Sequence, residues 1–263
     1  MYDGISAEER GVPAVVLISD GFVEDAHSAA SSRAMPGVRF VPTTVPAEST
    51  LPDIIEKGTT AAVDDIVKAL VSPLTEAERA PQPKQVEKAA RIVFKGSLDD
   101  VNQFYYQRGW TDGFPIVPPT EEKLAEMMTG TDLAPDTMLG KLLPRMGKVT
   151  VEKIAINAVM AGALPTYLPV LIAGTKLLLD SEMGFLGFCT FGVSTGSWSP
   201  FWLVNGPIRN DINLNHGSGT LSPGNIANAA IGRAMGLIIK NIGGIRKGIE
   251  DMGTMGNPMK YTM

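Results

Sequence analysis

The sequence predicts an α/β chain in two parts: an N-terminal partial doubly wound (Rossmann-like) half-domain, then a C-terminal mixed, helix-rich α+β domain. Three observations carry this. Residues 1–71 alternate short Val- and Ile-rich runs with helical periods and read β-α-β-α. Residues 72–96 are rich in Pro, Glu and Lys and read as a linker or arm. From residue 97 to 263, stretches with helix caps dominate.

In the first part, GVPAVVLIS at 11–19 reads as a buried strand, and Asp20-Gly21-Phe22 as a turn. Residues 23–35 fit a helix that Pro36-Gly37 ends, and 38–45 form a second strand. Residues 46–57 read as a loop with room for a helical turn. Over 59–71, Ala62, Val63, Ile66, Val67 and Leu70 make a helical stripe. Two strands and two helices are too few to cover both faces of a parallel sheet, so a partner chain is expected to complete this half-domain.

In the second part, Ser97 caps a helix over 98–108 with Asp99 and Asp100 in its first turn, and Thr120 caps one over 121–128. Thr150 caps a third, whose buried face is Val151, Ile154, Ala155, Ala158 and Val159. A fourth runs over 167–179 after Pro165-Thr166, and residues 200–204 read as a strand. Residues 154–175 carry no charge, but Gly162, Pro165 and Pro169 divide them. They read as two buried helices rather than a membrane span.

Composition narrows the function. The chain has 263 residues, 44% of them hydrophobic, enough for a core. A net charge of −5 argues against a nucleic-acid partner. The single cysteine, Cys189, excludes an internal disulfide and a cysteine-ligated iron–sulfur cluster, and two histidines disfavour a multi-histidine metal site. No metal or cofactor is assigned. Residues 1–10 are polar and acidic, unlike a secretory signal, so a cytoplasmic location is expected.

The chemically dense stretch is 205–244. Asn205-Gly206-Pro207 signals a turn and leads at once to Arg209. A loop of small polar residues follows, with Asn213, Asn215, His216, Ser218 and Thr220. Ser222-Pro223 reads as an N-cap and first-turn proline, opening a helix over 224–240 that Gly243-Gly244 closes. Such a loop presents backbone N–H groups and the positive end of a helix dipole to an anion. Arg209 would be its bidentate partner, with Asn205, Asn215, Ser218 and Asn225 around it. An ordinary connection with an ordinary cap fits the same residues. The spacing is neither a P-loop nor a dinucleotide fingerprint.

Other candidates each have two readings. Trp110 and Asp112, in the aperiodic run 109–120, either line a site or belong to a rigid loop plugged by its tryptophan. Glu152 is either a dipole partner near a helix start or a catalytic base. Cys189 is either a buried small hydrophobe or a nucleophile. Arg233, flanked by small residues, points either at the anion site or at solvent.

Residues 8–75 resemble the C-terminal half of a selenoprotein family with a selenocysteine/Cys-Gly-Ser-Cys (UGSC-type) motif, itself similar to the selenoprotein B components of glycine, sarcosine and betaine reductases. The resemblance rests on Glu9-Arg10-Gly11-Val12-Pro13, on Phe22 and on Gly37-Val38-Arg39-Phe40-Val41-Pro42. Residues 97–262 resemble uncharacterised domains found beside such proteins, through RGWTDGFPIVPPTE at 108–121, TVEKIAINAVMAG at 150–162, VNGPIR at 204–209, and the run from Pro223-Gly224-Asn225 to Gly232-Arg233. In the family pattern the redox motif lies ahead of the position of residue 1, and no residue of this chain matches it.

The resemblance implies one subunit of a hetero-oligomeric enzyme. A companion subunit carrying the Cys/Sec-Gly-Ser-Cys motif would supply the thiolate or selenolate for reductive or nucleophilic carbon–heteroatom chemistry on a small anionic substrate. Two alternatives stand beside it: a lyase or hydrolase with Glu152 or Asp112 as base, and a non-catalytic structural subunit.

Overall fold

The computed structural model describes residues 2–45, 51–80, 90–180 and 192–258. The chain divides into two compact units, residues 1–88 and 89–263. Cys189 lies outside the described residues.

The first unit is built on a βαβ crossover. Strands β1 (Val15–Ser19) and β2 (Arg39–Thr43) pair in parallel, Val15 opposite Arg39 through Ser19 opposite Thr43. Helix α2 (Val23–Ser32) connects them after a 3₁₀ turn at Asp20–Phe22. Pro42 has no N–H for a further strand, which suits the edge position of β2. Helix α3 (Pro52–Val71) starts earlier than the hydrophobic stripe suggests, because Pro52 occupies its first turn with φ already set for a helix. Its Gly58 allows close approach: a Cβ there would lie 2.1 Å from Val45 Cγ2. A helix that the strand pattern does not announce, α1 (Tyr2–Glu9), inserts Ile5 among Ala30, Val38 and Met35.

Residues 72–80 follow α3 without becoming an extended arm. Thr75 caps a four-residue helix, α4 (Glu76–Arg79), through a capping box with Glu78. Arg39, from the first position of β2, ties this segment down. Its Nη1 donates to the carbonyls of Ala69 (2.7 Å) and Ser72 (2.6 Å), and Nη2 to that of Pro73 (2.8 Å). Nε and Nη2 both reach the Glu78 carboxylate at 3.1 Å. A guanidinium at the end of α3 satisfies carbonyls that have no helical partner and opposes the negative end of the dipole.

The second unit has a core of three helices: α7 (Val151–Met160), α8 (Leu168–Leu179) and α10 (Ile226–Ile238). Helices α5 (Leu98–Gln107) and α6 (Glu121–Met128) precede them, and the four-residue α9 (Ile208–Asp211) lies between α8 and α10. Ser97, Thr120 and Thr150 each accept from the N3 backbone N–H, the caps the sequence predicts. The two uncharged helices expected at 154–175 are both buried, and no helix among the described residues is long and apolar enough to cross a membrane.

Two features depart from the sequence reading. An antiparallel hairpin, β3 (Met138–Leu142) and β4 (Gly147–Thr150), occupies a stretch without alternating hydrophobicity. It forms because Leu142 and Val149 are fully buried against the helices, and because Gly147 leaves room for the Ile242 carbonyl, which a Cβ would approach to 1.8 Å. Conversely, residues 200–204 pair with no strand among the described residues. With no strand edge beside them, Trp202, Leu203 and Val204 line an apolar groove against α8 instead.

Arg39→Ala should destabilise the first unit by about 1–2 kcal/mol, because two part-buried carbonyls and one exposed carbonyl lose a charged donor. Chemical denaturation followed on residues 1–88 in the full chain checks this. Glu78 adds a pH signature. The hydrogen bond from Arg39, with those from Thr75, lowers its carboxyl to about 2. A depressed carboxylate stabilises the fold fully above its ordinary range and loses that effect as pH falls towards about 2. The stability gap between wild type and Glu78→Gln should therefore close on acidification below about pH 4.5.

Candidate functional site

Helix α10 organises the second unit's polar chemistry. Its cap is Asn225, not Ser222: the Asn225 side chain accepts from the Asn228 N–H at 2.9 Å. Gly224, at φ 122°, lies outside the helical region, so the helix cannot begin before it. Ala227, Ala230, Gly232 and Ala234 are buried, and Arg233 is the one charged residue within the helix. A π-turn, Ile239–Gly243, extends it and ends at Gly244 in the left-handed conformation. That turn carries Lys240 and Asn241.

Three side chains from this helix and turn grip the aperiodic loop at 109–115. Arg233 forms a fork-to-fork pair with Asp112: Nε to Oδ2 at 2.7 Å and Nη2 to Oδ1 at 2.9 Å. The same Nη2 donates to the Pro115 carbonyl at 2.9 Å. Lys240 Nζ donates to the carbonyls of Gly109 and Thr111, the latter at 2.7 Å. Asn241 Nδ2 donates to the Trp110 carbonyl at 3.0 Å and to Asn157 Oδ1 at 2.8 Å. The side chains of Asp112 and Arg233 are only 15% and 19% exposed. Burial pushes the Lys240 amine below the usual lysine range, and the Asp112 charge opposes that shift.

These groups border a cavity of about 620 Å³. Asp112, Arg233, Gly236 and Lys240 line it, together with Trp198 and residues 253–258. The turn beside it is held by Arg246, whose Nε donates at 3.0 Å to both oxygens of Glu250, which is 1% exposed. Burial raises the Glu250 carboxyl, but the hydrogen bonds from Arg246 outweigh this and leave it lowered.

The sequence-derived candidates fall into separate places. Trp110 packs edge-on against Tyr105 and Phe104, centroids 5.5 and 6.0 Å away, and anchors the loop that holds Asp112. Asn215, Ser218 and Asn225 belong to a network closed on itself. Asn215 Nδ2 donates to the Ser218 carbonyl, Asn215 Oδ1 accepts from the Gly217 N–H, and Asn228 Oδ1 accepts from the Asn215 N–H. Asn225 Nδ2 donates back to the Asn213 carbonyl. Within this loop the backbone N–H groups of Asn215, Gly217, Thr220, Ser222 and Asn228 are engaged by loop and cap acceptors. Asn205 lines the apolar groove beside α8, and the Arg209 side chain on α9 makes no hydrogen bond or ion pair among the described residues. Glu152 pairs at 2.9 Å with Arg91, which also pairs with Glu121. Sequence reasoning missed Lys240, Asn241 and Trp198. The signal for Lys240 was present: a lone lysine seven residues after Arg233 in an otherwise apolar helix.

Residues 1–72 match the UGSC family model. No curated protein and no solved structure matches the chain significantly. The UGSC match covers the βαβ crossover and α3 and ends ahead of the loop at 109–115, so the cavity lies wholly outside the matched residues.

Arg233→Met should cost about 3–5 kcal/mol, because it leaves Asp112 buried without its counter-charge. The double variant Asp112→Leu/Arg233→Met should recover part of that loss. Denaturation midpoints of the two single variants and the double variant test the coupling, and simple additivity would refute it.

Proposed function

We propose that this chain is a subunit of an enzyme, with a thiol or selenol nucleophile carried by a companion subunit and a small organic anion bound in the α10 cavity. The observation that carries the reading is the placement of Lys240 and Arg233 in the lining of that cavity, both partly buried and both fixed by the same loop. Cations held in place by a scaffold bind a carboxylate, and stabilise charge developing on it, without reorganising at the moment of reaction. Asp112 suits a positioning role better than a base, since both its oxygens face the Arg233 guanidinium. Glu152, paired with Arg91, lines none of the cavities described.

The UGSC match supports the second half of the reading. Residues 1–72 contain no cysteine, so a UGSC-type nucleophile must come from elsewhere. The first unit is suited to receive a companion. Among the described residues its parallel sheet has two strands, fewer than such a sheet needs to be stable alone. Along α3, Val63, Val67, Leu70 and Val71 are 41–75% exposed and form an apolar stripe beside the face that covers the sheet.

Co-expression with a Cys- or Sec-Gly-Ser-Cys protein tests both halves. Val67→Asp should abolish co-purification while leaving the circular dichroism of the chain unchanged. In the assembled complex, Lys240→Gln should weaken binding of propionate, used as a simple carboxylate probe, by about tenfold. Unaltered propionate binding would remove the cavity from the reading, and a chain that turns over substrate without any companion would remove the split nucleophile.

A further inference from the structure

The donors on the cavity wall are not all engaged. Lysine carries three N–H donors, and two of those on Lys240 go to the Gly109 and Thr111 carbonyls. Arginine carries five, and on Arg233 Nε and Nη2 serve Asp112 and the Phe114 and Pro115 carbonyls. Nη1 of Arg233 makes no hydrogen bond among the described residues. Each cation is therefore immobilised by the loop with donor capacity left over.

Arg233 and Lys240 stand seven positions apart, about 10 Å along the axis at their backbones, and their heads reach neighbouring loop residues, Asp112 and Thr111. Between them the lining is Gly236, with no side chain, Leu237 and Ile239. The lining thus carries two donor groups with apolar residues and a glycine between them along the chain. Among the described residues its charged lining is Arg233, Lys240 and Lys247 against Asp112 and Asp251. A dianion would leave it as close to neutrality as it is when empty.

From this arrangement we infer that the cavity recognises a short dicarboxylate, one carboxylate on Lys240 and the other on Nη1 of Arg233, with its methylene chain over Gly236. This rests on the reading of the cavity as an anion site and names the ligand class. A monocarboxylate would engage one donor group and leave the other unmatched.

Isothermal titration of the purified full chain with glutarate, succinate, butyrate and orthophosphate tests it. Glutarate or succinate should bind at least about tenfold more tightly than butyrate or orthophosphate. Lys240→Gln should reduce the dicarboxylate to the butyrate level. Gly236→Leu, which touches neither cation, should abolish dicarboxylate binding while the melting temperature holds. Equal affinity for butyrate and glutarate, both lowered by Lys240→Gln, would overturn the dicarboxylate inference and leave the single-anion site standing. No binding by any of the four probes would overturn both.

Discussion

The Asp112–Arg233 pair is the interaction on which the second unit's polar architecture depends. A loop without regular hydrogen bonding must satisfy its backbone groups some other way or stay in water. Here one helix and its π-turn supply the donors. Arg233 takes the Asp112 carboxylate and the Pro115 carbonyl, Lys240 takes Gly109 and Thr111, and Asn241 takes Trp110. An acid buried to 15% exposure is tolerable only with its counter-charge in place. The pair therefore fixes where Lys240 can reach, and with it the cavity wall.

The first unit shows the same logic on a smaller scale. Its core is short of large side chains: Ile5, Ala30 and Val38 are the buried members of its cluster. Arg39 compensates by joining strand β2, the end of α3 and the start of α4 through one guanidinium. Within the segment that composition assigns to a linker, residues 72–80 are held in place because three neighbouring carbonyls and Glu78 converge on that group.

What was legible in the sequence was mostly local. Ser97, Thr120 and Thr150 announce helices because a capping side chain acts three residues along the chain. The parallel pair β1–β2 and the buried helices α7 and α8 follow from hydrophobic period. The hairpin β3–β4 did not show itself, since Met138–Leu142 and Gly147–Thr150 are strands only by virtue of what packs on Leu142 and Val149. Asn225 outcompeted Ser222-Pro223 as cap for a similar reason: beside its cap bond to Asn228 it is tied to the Asn213 carbonyl across the loop, a contact that spacing alone does not reveal. Lys240 stands out in the sequence as a lone lysine, but its partners lie 131 and 129 residues away, beyond any local pattern.

The π-turn at Ile239–Gly243 has one more consequence. Its wider hydrogen-bonding register is what a single-residue insertion into an α-helix leaves behind. Removing one residue there would restore an ordinary helix and rotate everything after it by about 100°. Asn241 would swing off Trp110, and Gly244 would no longer meet the end of the helix where its left-handed turn is needed. The loop grip and the chain's exit from α10 are thus set by one extra residue, so a length change in this segment would be felt more sharply than most substitutions.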